Sequence, residues 1–161
     1  LLSRGRFVSM YLPMQLCRLI YRSKTSWDVL TNDLLRNLAQ RSASNNRELD
    51  ITGLLVLSDE TFLQVLEGPD IAVNMIFNRI IRDELHSEVT LLSYDQTANR
   101  SFEDWSMRVV DLNDLPMASR DLFRHKYDDK EGYIQIPSDM PKAISLLFDA
   151  RALCLSELGE E

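Results

Sequence analysis

The sequence predicts an α+β fold, an open sheet of five strands with two helices on one face and a C-terminal helical extension. Three observations carry this expectation. Runs rich in strand-forming residues alternate with stretches of helical period, in the order β-α-β-β-α-β followed by one more strand. The 161 residues contain 45% apolar and 27% charged side chains with only 5 Gly and 5 Pro, which excludes collagen-like, low-complexity and wholly disordered classes. A chain of this length buries roughly 70% of its extended surface, enough for one domain with a core that needs no staples.

Residues 16–22 open the sheet, and alternation puts Cys17, Leu19 and Tyr21 on one face. A loop at 23–26 leads to a helix expected from Trp27 or Thr31 to about Ser42, because Leu30, Leu34 and Leu38 recur four residues apart. The small polar run from Ser42 to Asn46 is expected to end it, since such side chains compete for backbone hydrogen bonds. Residues 50–57 are almost continuously apolar and read as a central strand covered on both faces, with 61–67 as its hairpin partner. Gly68-Pro69-Asp70 breaks that strand and supplies the N-cap of a second helix at 71–82, which groups Val73, Ile76, Phe77 and Ile80. Strands four and five are expected at 89–94 and 105–111.

This order is that of a ferredoxin-like βαββαβ sheet with an added fifth strand, both helices lying on one face because the crossovers are right-handed. Beyond Asp111 the pattern gives a short helix at 115–123 and a charged loop at 126–132. A final helix opens near Asp139-Met140-Pro141, with proline in its first turn. Its apolar residues form two sets, Ile144, Leu147, Phe148, Ala152 and Leu155 on one stripe and Leu146, Ala150 and Leu153 beside it. Two apolar sides ask for two partners, the open face of the sheet and another subunit. The chain thus divides into an extension at 1–13, native or added, with Met14 the candidate natural start; a domain at 14–115; and a helical cap or output segment at 116–161.

Acidic residues number 25 against 18 basic ones, a net charge of −7 that does not suit tracking along nucleic-acid phosphates. No apolar run approaches the about 18–20 residues that span a bilayer, and residues 1–10 lack the apolar core of a signal peptide. Cys17 and Cys154, like His86 and His125, are isolated in sequence, so no zinc-ligand spacing exists and a reducing cytoplasm is the expected setting. Gly-rich phosphate loops, the nucleophile-elbow pattern and the His-Glu-x-x-His pattern are all missing. The acidic pairs Asp128-Asp129 and Glu160-Glu161 read as solvated charge.

One feature does not suit an ordinary core. Gln64 shares a strand face with Phe62 and Leu66, where an amide without partners costs roughly 1–3 kcal/mol. Either it is a core amide satisfied by backbone, or it belongs to a polar clasp for a flat heteroaromatic ligand held between the two helices. Asn46 at the end of the first helix and Tyr21 on the neighbouring strand can reach the same place.

Five motifs then occur in order: Leu19-Ile20-Tyr21-Arg22-Ser23; Asn45-Asn46 followed by Ile51-Thr52-Gly53-Leu54-Leu55; Phe62-Leu63-Gln64-Val65-Leu66-Glu67-Gly68; Arg82-Asp83 with His86; and Arg100 and Phe102 with Trp105-Ser106-Met107. Together they resemble the BLUF family, blue-light sensors that use flavin, over about 16–115. The resemblance implies that Tyr21 is the photoactive tyrosine and Gln64 the switching glutamine. It implies that Asn46 bonds the polar edge of the flavin, that Asn45 lines the same pocket, that Leu38 and Ile80 sandwich the ring and that His86 packs near it. Trp105 and Met107 match a pair on the fifth strand whose relative burial reports the signal. Leu85 departs from the pattern, because several members carry an arginine there that contacts the flavin.

The function so implied is a photoreceptor, not an enzyme, that holds FAD (FMN being the alternative) non-covalently. It would signal through a Tyr-Gln-flavin hydrogen-bond network to a downstream protein, as a cytoplasmic homo-oligomer without direct nucleic-acid or membrane contact. A flavin-dependent redox enzyme and a cofactor-free ferredoxin-like interaction module are the competing readings.

Overall fold

The computed structural model describes residues 14–127, 129–130 and 132–158; the extension at 1–13, Asp128, Glu131 and the pair Glu160-Glu161 lie outside them. The elements are β1 (Leu16–Lys24), α1 (Asn32–Glu48), β2 (Thr52–Ser58), β3 (Thr61–Pro69), α2 (Asp70–Arg82), β4 (Ser87–Gln96) and β5 (Arg108–Asp111). A short 3-10 turn (Leu112–Asp114), α3 (Met117–Lys126), the two-residue strands β6 (Asp129–Lys130) and β7 (Tyr133–Ile134), and α4 (Met140–Leu158) follow. The main sheet runs β4-β1-β3-β2-β5. Its first four strands are antiparallel neighbours, and β5 joins β2 in parallel from the pair Leu54–Arg108 onward. This is the expected ferredoxin-like order with the fifth strand added at the β2 edge.

Two apolar clusters cover the two faces. On one, Leu19, Tyr21, Leu55, Leu57, Phe62 and Leu66 pack beneath α1 and α2 with Val73 and Ile76. On the other, Ile20, Leu54, Val56, Leu63, Val65 and Val110 pack beneath α4. The side of α4 that faces the sheet is Ala143, Leu146, Leu147, Ala150 and Cys154, all buried. That stripe differs from the two sets read off the sequence: Phe148 is 42% exposed, stacking on Phe102 with ring centroids 5.0 Å apart. The small residues Ala143 and Cys154 complete the buried face, because a helix lying close to a sheet needs short side chains where the backbones approach. Asp139 caps α4 by accepting from the Lys142 N–H at 3.1 Å.

Several boundaries move. Helix α1 starts after Thr31, whose Oγ1 accepts from the Leu34 N–H at 3.1 Å, and it runs through the Ser42–Asn46 cluster to Glu48. It ends where Asp50 takes φ +56°, with the Ile51 N–H donating to the Asn46 carbonyl at 2.8 Å and the Asp50 N–H to Arg47 at 3.3 Å. That is a left-handed cap of the kind glycine usually provides. At α2 the strand continues to Pro69, which holds the N-cap position without a side-chain bond, while Asp70 accepts from the Ile71 N–H at 2.7 Å. Strand β5 begins at Arg108, leaving Trp105 and Met107 in the segment that leads into it.

Candidate functional site

The site is built where β1, β3 and the approach to β5 meet under the gap between α1 and α2. Tyr21 and Gln64 are direct cross-strand partners on β1 and β3, so their side chains leave the same face side by side. Both are buried, and the Tyr21 hydroxyl donates to Gln64 Oε1. The other end of the carboxamide, Gln64 Nε2, donates to the Met107 sulfur at 3.4 Å. A thioether is a weak acceptor, so the amide nitrogen keeps both a loosely held N–H and a second one.

Gly53 allows Met107 this close. A Cβ there would stand 2.1 Å from the Val65 carbonyl oxygen and 3.2 Å from the Met107 methyl. The Gly53 N–H donates to the Trp105 carbonyl at 3.1 Å, and Asn46 Nδ2 donates to the Ser106 carbonyl at 2.9 Å. With these carbonyls taken by a glycine amide and a side chain, the 103–107 segment departs from the regular ladder. That is why the strand starts later than its residue types suggest.

His86 follows α2. Its Nδ1 lies 2.8 Å from Ser23 Oγ, and its ring sits 5.1 Å from Phe62 and 6.1 Å from Tyr21, edge-on to the latter. Burial pushes the imidazole below its ordinary pKa and outweighs the opposing pull of Asp83, which favours the neutral ring. Burial likewise pushes the Tyr21 phenol above its ordinary range, with Asp83 adding to the rise. At neutral pH Tyr21 is therefore a protonated donor.

Above these residues opens a cavity of about 480 Å³ between α1 and α2. Leu38 and Ile80 line it from the two helices, Asn45 and Asn46 from the last turns of α1, Gln64 from the sheet and His86 from the loop after α2. Tyr21 and Met107 stand behind Gln64, bonded to it. Trp105 is not brought to the cavity: it packs, half-buried, on the α4 side, with the Arg108 guanidinium 5.6 Å above its ring. Leu85 is buried in the cavity wall.

Sequence reasoning assigned no role to Ser23 or Gly53. Ser23 lies two residues after Tyr21 on the same strand face, so alternation could have found it. No local signal marks the approach of Met107 to Gly53.

These walls fit a flat heteroaromatic cofactor. The volume is that of a small-ligand pocket. Aliphatic side chains flank it from two directions, and amides with unused hydrogen-bonding capacity sit at its floor. Among the described residues no group of His, Cys, Asp and Glu could hold a metal ion, and no helix is long and apolar enough to cross a membrane.

Comparison with known proteins matches residues 16–108 to the model of the BLUF family, sensors of blue-light using FAD. The photoactivated adenylate cyclase subunit beta of Euglena gracilis is 32% identical over 92 residues, 56% of this chain but only 11% of that protein. The dark-state structure of BlrB, a BLUF protein, superposes with a TM-score of 0.66 at 29% identity, covering 86% of this chain and 97% of its own. Klebsiella pneumoniae BlrP1, solved with FMN and cyclic diGMP, gives 0.59 at 38% identity over 64% of this chain and 27% of its own. With the family match spanning more than half of its length and a cavity of fitting shape beneath its two helices, the chain belongs to the BLUF family of blue-light sensors that use FAD.

Proposed function

We propose that this blue-light sensor uses Tyr21, Gln64 and Met107 as its switch, and holds its flavin between Leu38 and Ile80 with Asn45, Asn46 and His86 around the ring. The observation that carries the proposal is the Gln64 carboxamide, which faces the cavity while bonded at one end to a phenol and at the other to a thioether. When bound, the flavin supplies a blue-absorbing chromophore whose excited state accepts an electron and a proton.

The protein's part follows from donors and acceptors. Tyr21 is the adjacent group that can give up a proton, and burial keeps it protonated beforehand. Gln64 can turn its amide end for end. In the turned state Nε2 donates to the Tyr21 oxygen and Oε1 faces the Met107 sulfur, which has no proton to offer. The hydrogen bond to Met107 is then lost. A neutral bond contributes about 0.5–1.5 kcal/mol, so losing this one is enough to shift a two-state equilibrium about two- to tenfold.

In this reading residues 14–115 form the flavin-binding domain, and 116–161 carry the output to a downstream signalling protein by contact rather than catalysis. The photoactivated cyclase similar to this chain supports coupling to an effector. The buried free thiols Cys17 and Cys154 agree with a reducing, cytoplasmic setting. Self-association is the expectation the family resemblance supplies, checked by light scattering.

The test is Gln64→Leu in the flavin-loaded chain. Light that turns Gln64 to give a stronger hydrogen bond to the flavin should shift its absorption to the red; in the variant visible absorbance should persist, showing flavin still bound, while that shift disappears. An unaltered photocycle in that variant would refute the assigned switch.

A further inference from the structure

The segment that carries Trp105 and Met107 is held from two sides. Toward the cavity, Gln64, Asn46 and Gly53 bond Met107, Ser106 and Trp105 in turn. Toward the opposite face, Asp104 meets Arg151 of α4 through two contacts, Nε–Oδ2 at 2.6 Å and Nη2–Oδ1 at 3.3 Å. Arg108 meets Glu157 of α4 at 3.2 Å, with its guanidinium lying over the Trp105 ring. In sequence the two ion pairs bracket Met107, at residues 104 and 108. On α4 their anchors lie six residues apart, about 9 Å along the helix, with the buried Cys154 between them.

Met107 belongs to the apolar cluster under α1 and α2, and Trp105 packs against the cluster under α4. The segment therefore passes from one face of the sheet to the other within three residues. A displacement of Met107 cannot be absorbed without moving its neighbours, because Ser106 and Trp105 have their carbonyls pinned on the cavity side. The forked Asp104–Arg151 pair is the stiffer tie: its side chains are 22% and 29% exposed, against 36% and 49% for Arg108 and Glu157. Fork geometry and partial shielding raise a pair above the ordinary surface ion pair.

We propose that Asp104–Arg151 and Arg108–Glu157 form a clamp that ties the switch segment to α4, so that the helix registers which way Gln64 faces. This rests on the switch assigned above. Arg151 and Glu157 act as positioning residues that touch neither the cavity nor Gln64, and α4 is the element that changes.

The experiment compares hydrogen–deuterium exchange of α4 amides in the dark and under blue light, in the full flavin-loaded chain and in the double variant Arg151→Gln/Glu157→Gln. The unsubstituted chain should show a light-dependent difference in α4. The double variant should keep the red shift in full, lose that difference, and change its dark-recovery rate by about threefold or more. Arg151→Asp alone, which sets two carboxylates against each other, should reduce the difference, and the charge swap Asp104→Arg/Arg151→Asp should restore it, a rescue that a merely structural contact would not produce; failure of the swap to restore it also overturns the clamp. Persistence of the α4 difference in the double variant overturns the clamp, as does a normal red shift in the unsubstituted chain with no change in α4. Absence of any red shift in the unsubstituted chain instead overturns the switch reading on which the clamp depends.

Discussion

Gln64 and Glu67 lie three residues apart on β3, both buried, and point to opposite faces of the sheet. Glu67 is fully occupied. Its carboxylate takes two contacts from Arg18 at 2.8 and 2.9 Å, accepts from the Ser101 N–H with both oxygens and also accepts from the Phe102 N–H. Gln64 has one firm partner in Tyr21 and one weak one in Met107. Around Glu67 the space is filled by Arg18, Ser101 and Phe102; around Gln64 it opens on a cavity. A buried polar group with every site filled fixes a loop in place, here the one carrying Arg100 and Phe102. A buried polar group with sites to spare can change partners. The same burial serves rigidity on one face and a choice of states on the other.

Removing the saturated group should cost most. Glu67→Ala leaves Arg18 and two backbone N–H groups without their acceptor and should destabilise the fold by about 3–5 kcal/mol in urea unfolding. The size of the light-induced shift in the surviving folded protein should be unchanged. Gly53→Ala sits where the two regions meet. Its methyl collides with the Val65 carbonyl and crowds Met107, so a loss of about 1–3 kcal/mol should come with an altered dark spectrum or recovery rate.

Tyr21→Phe should cost only about 1 kcal/mol, since it removes one neutral hydrogen bond, yet abolish the photocycle read by difference absorbance. Retention of the full light response would place the switch elsewhere. The smallest effect is a pH dependence. His86 is held neutral by burial, whereas an unfolded histidine gains its proton near pH 6.5. Below that pH the unfolded chain binds protons that the folded chain resists. Stability should therefore fall as pH drops from about 6.5 toward the lower folded-state value, by about 1 kcal/mol or less per unit, and stay flat above it. Urea midpoints at pH 5.5 and 7.5 (both about 1 unit from that value) should converge in His86→Gln.

Much of this architecture is legible in the residues. Strand alternation identifies the faces of β1 and β3, an unbroken apolar run marks β2 as covered on both sides, and leucine spacing finds α1. Handed crossovers place α1 and α2 on one face. What local pattern misreads is decided by partners far along the chain. The Ser42–Asn46 cluster looks like a terminus, but Asn46 turns its amide to Ser106, 60 residues away, and the helix continues. The cap is then made by Asp50 rather than a glycine. Residues 105–107 look like strand, yet the Trp105 and Ser106 carbonyls are claimed by Gly53 and Asn46.

The buried stripe of α4 hides in Ala143 and Cys154, whose size rather than hydropathy qualifies them. In the site, Tyr21 facing Gln64 is readable once β1 and β3 are paired. The sulfur of Met107 at the far end of the amide is a matter of tertiary approach. So is the departure of Trp105 to the other face.

The thioether at the end of the Gln64 amide also has a chemical future. Two-electron oxidation of Met107 by a peroxide, which hands one oxygen atom to the sulfur and leaves as water or alcohol, would put a strong S=O acceptor where a poor one now stands. The carboxamide would then be bolted in its resting direction, and a peroxide-treated protein would keep its flavin colour while going blind.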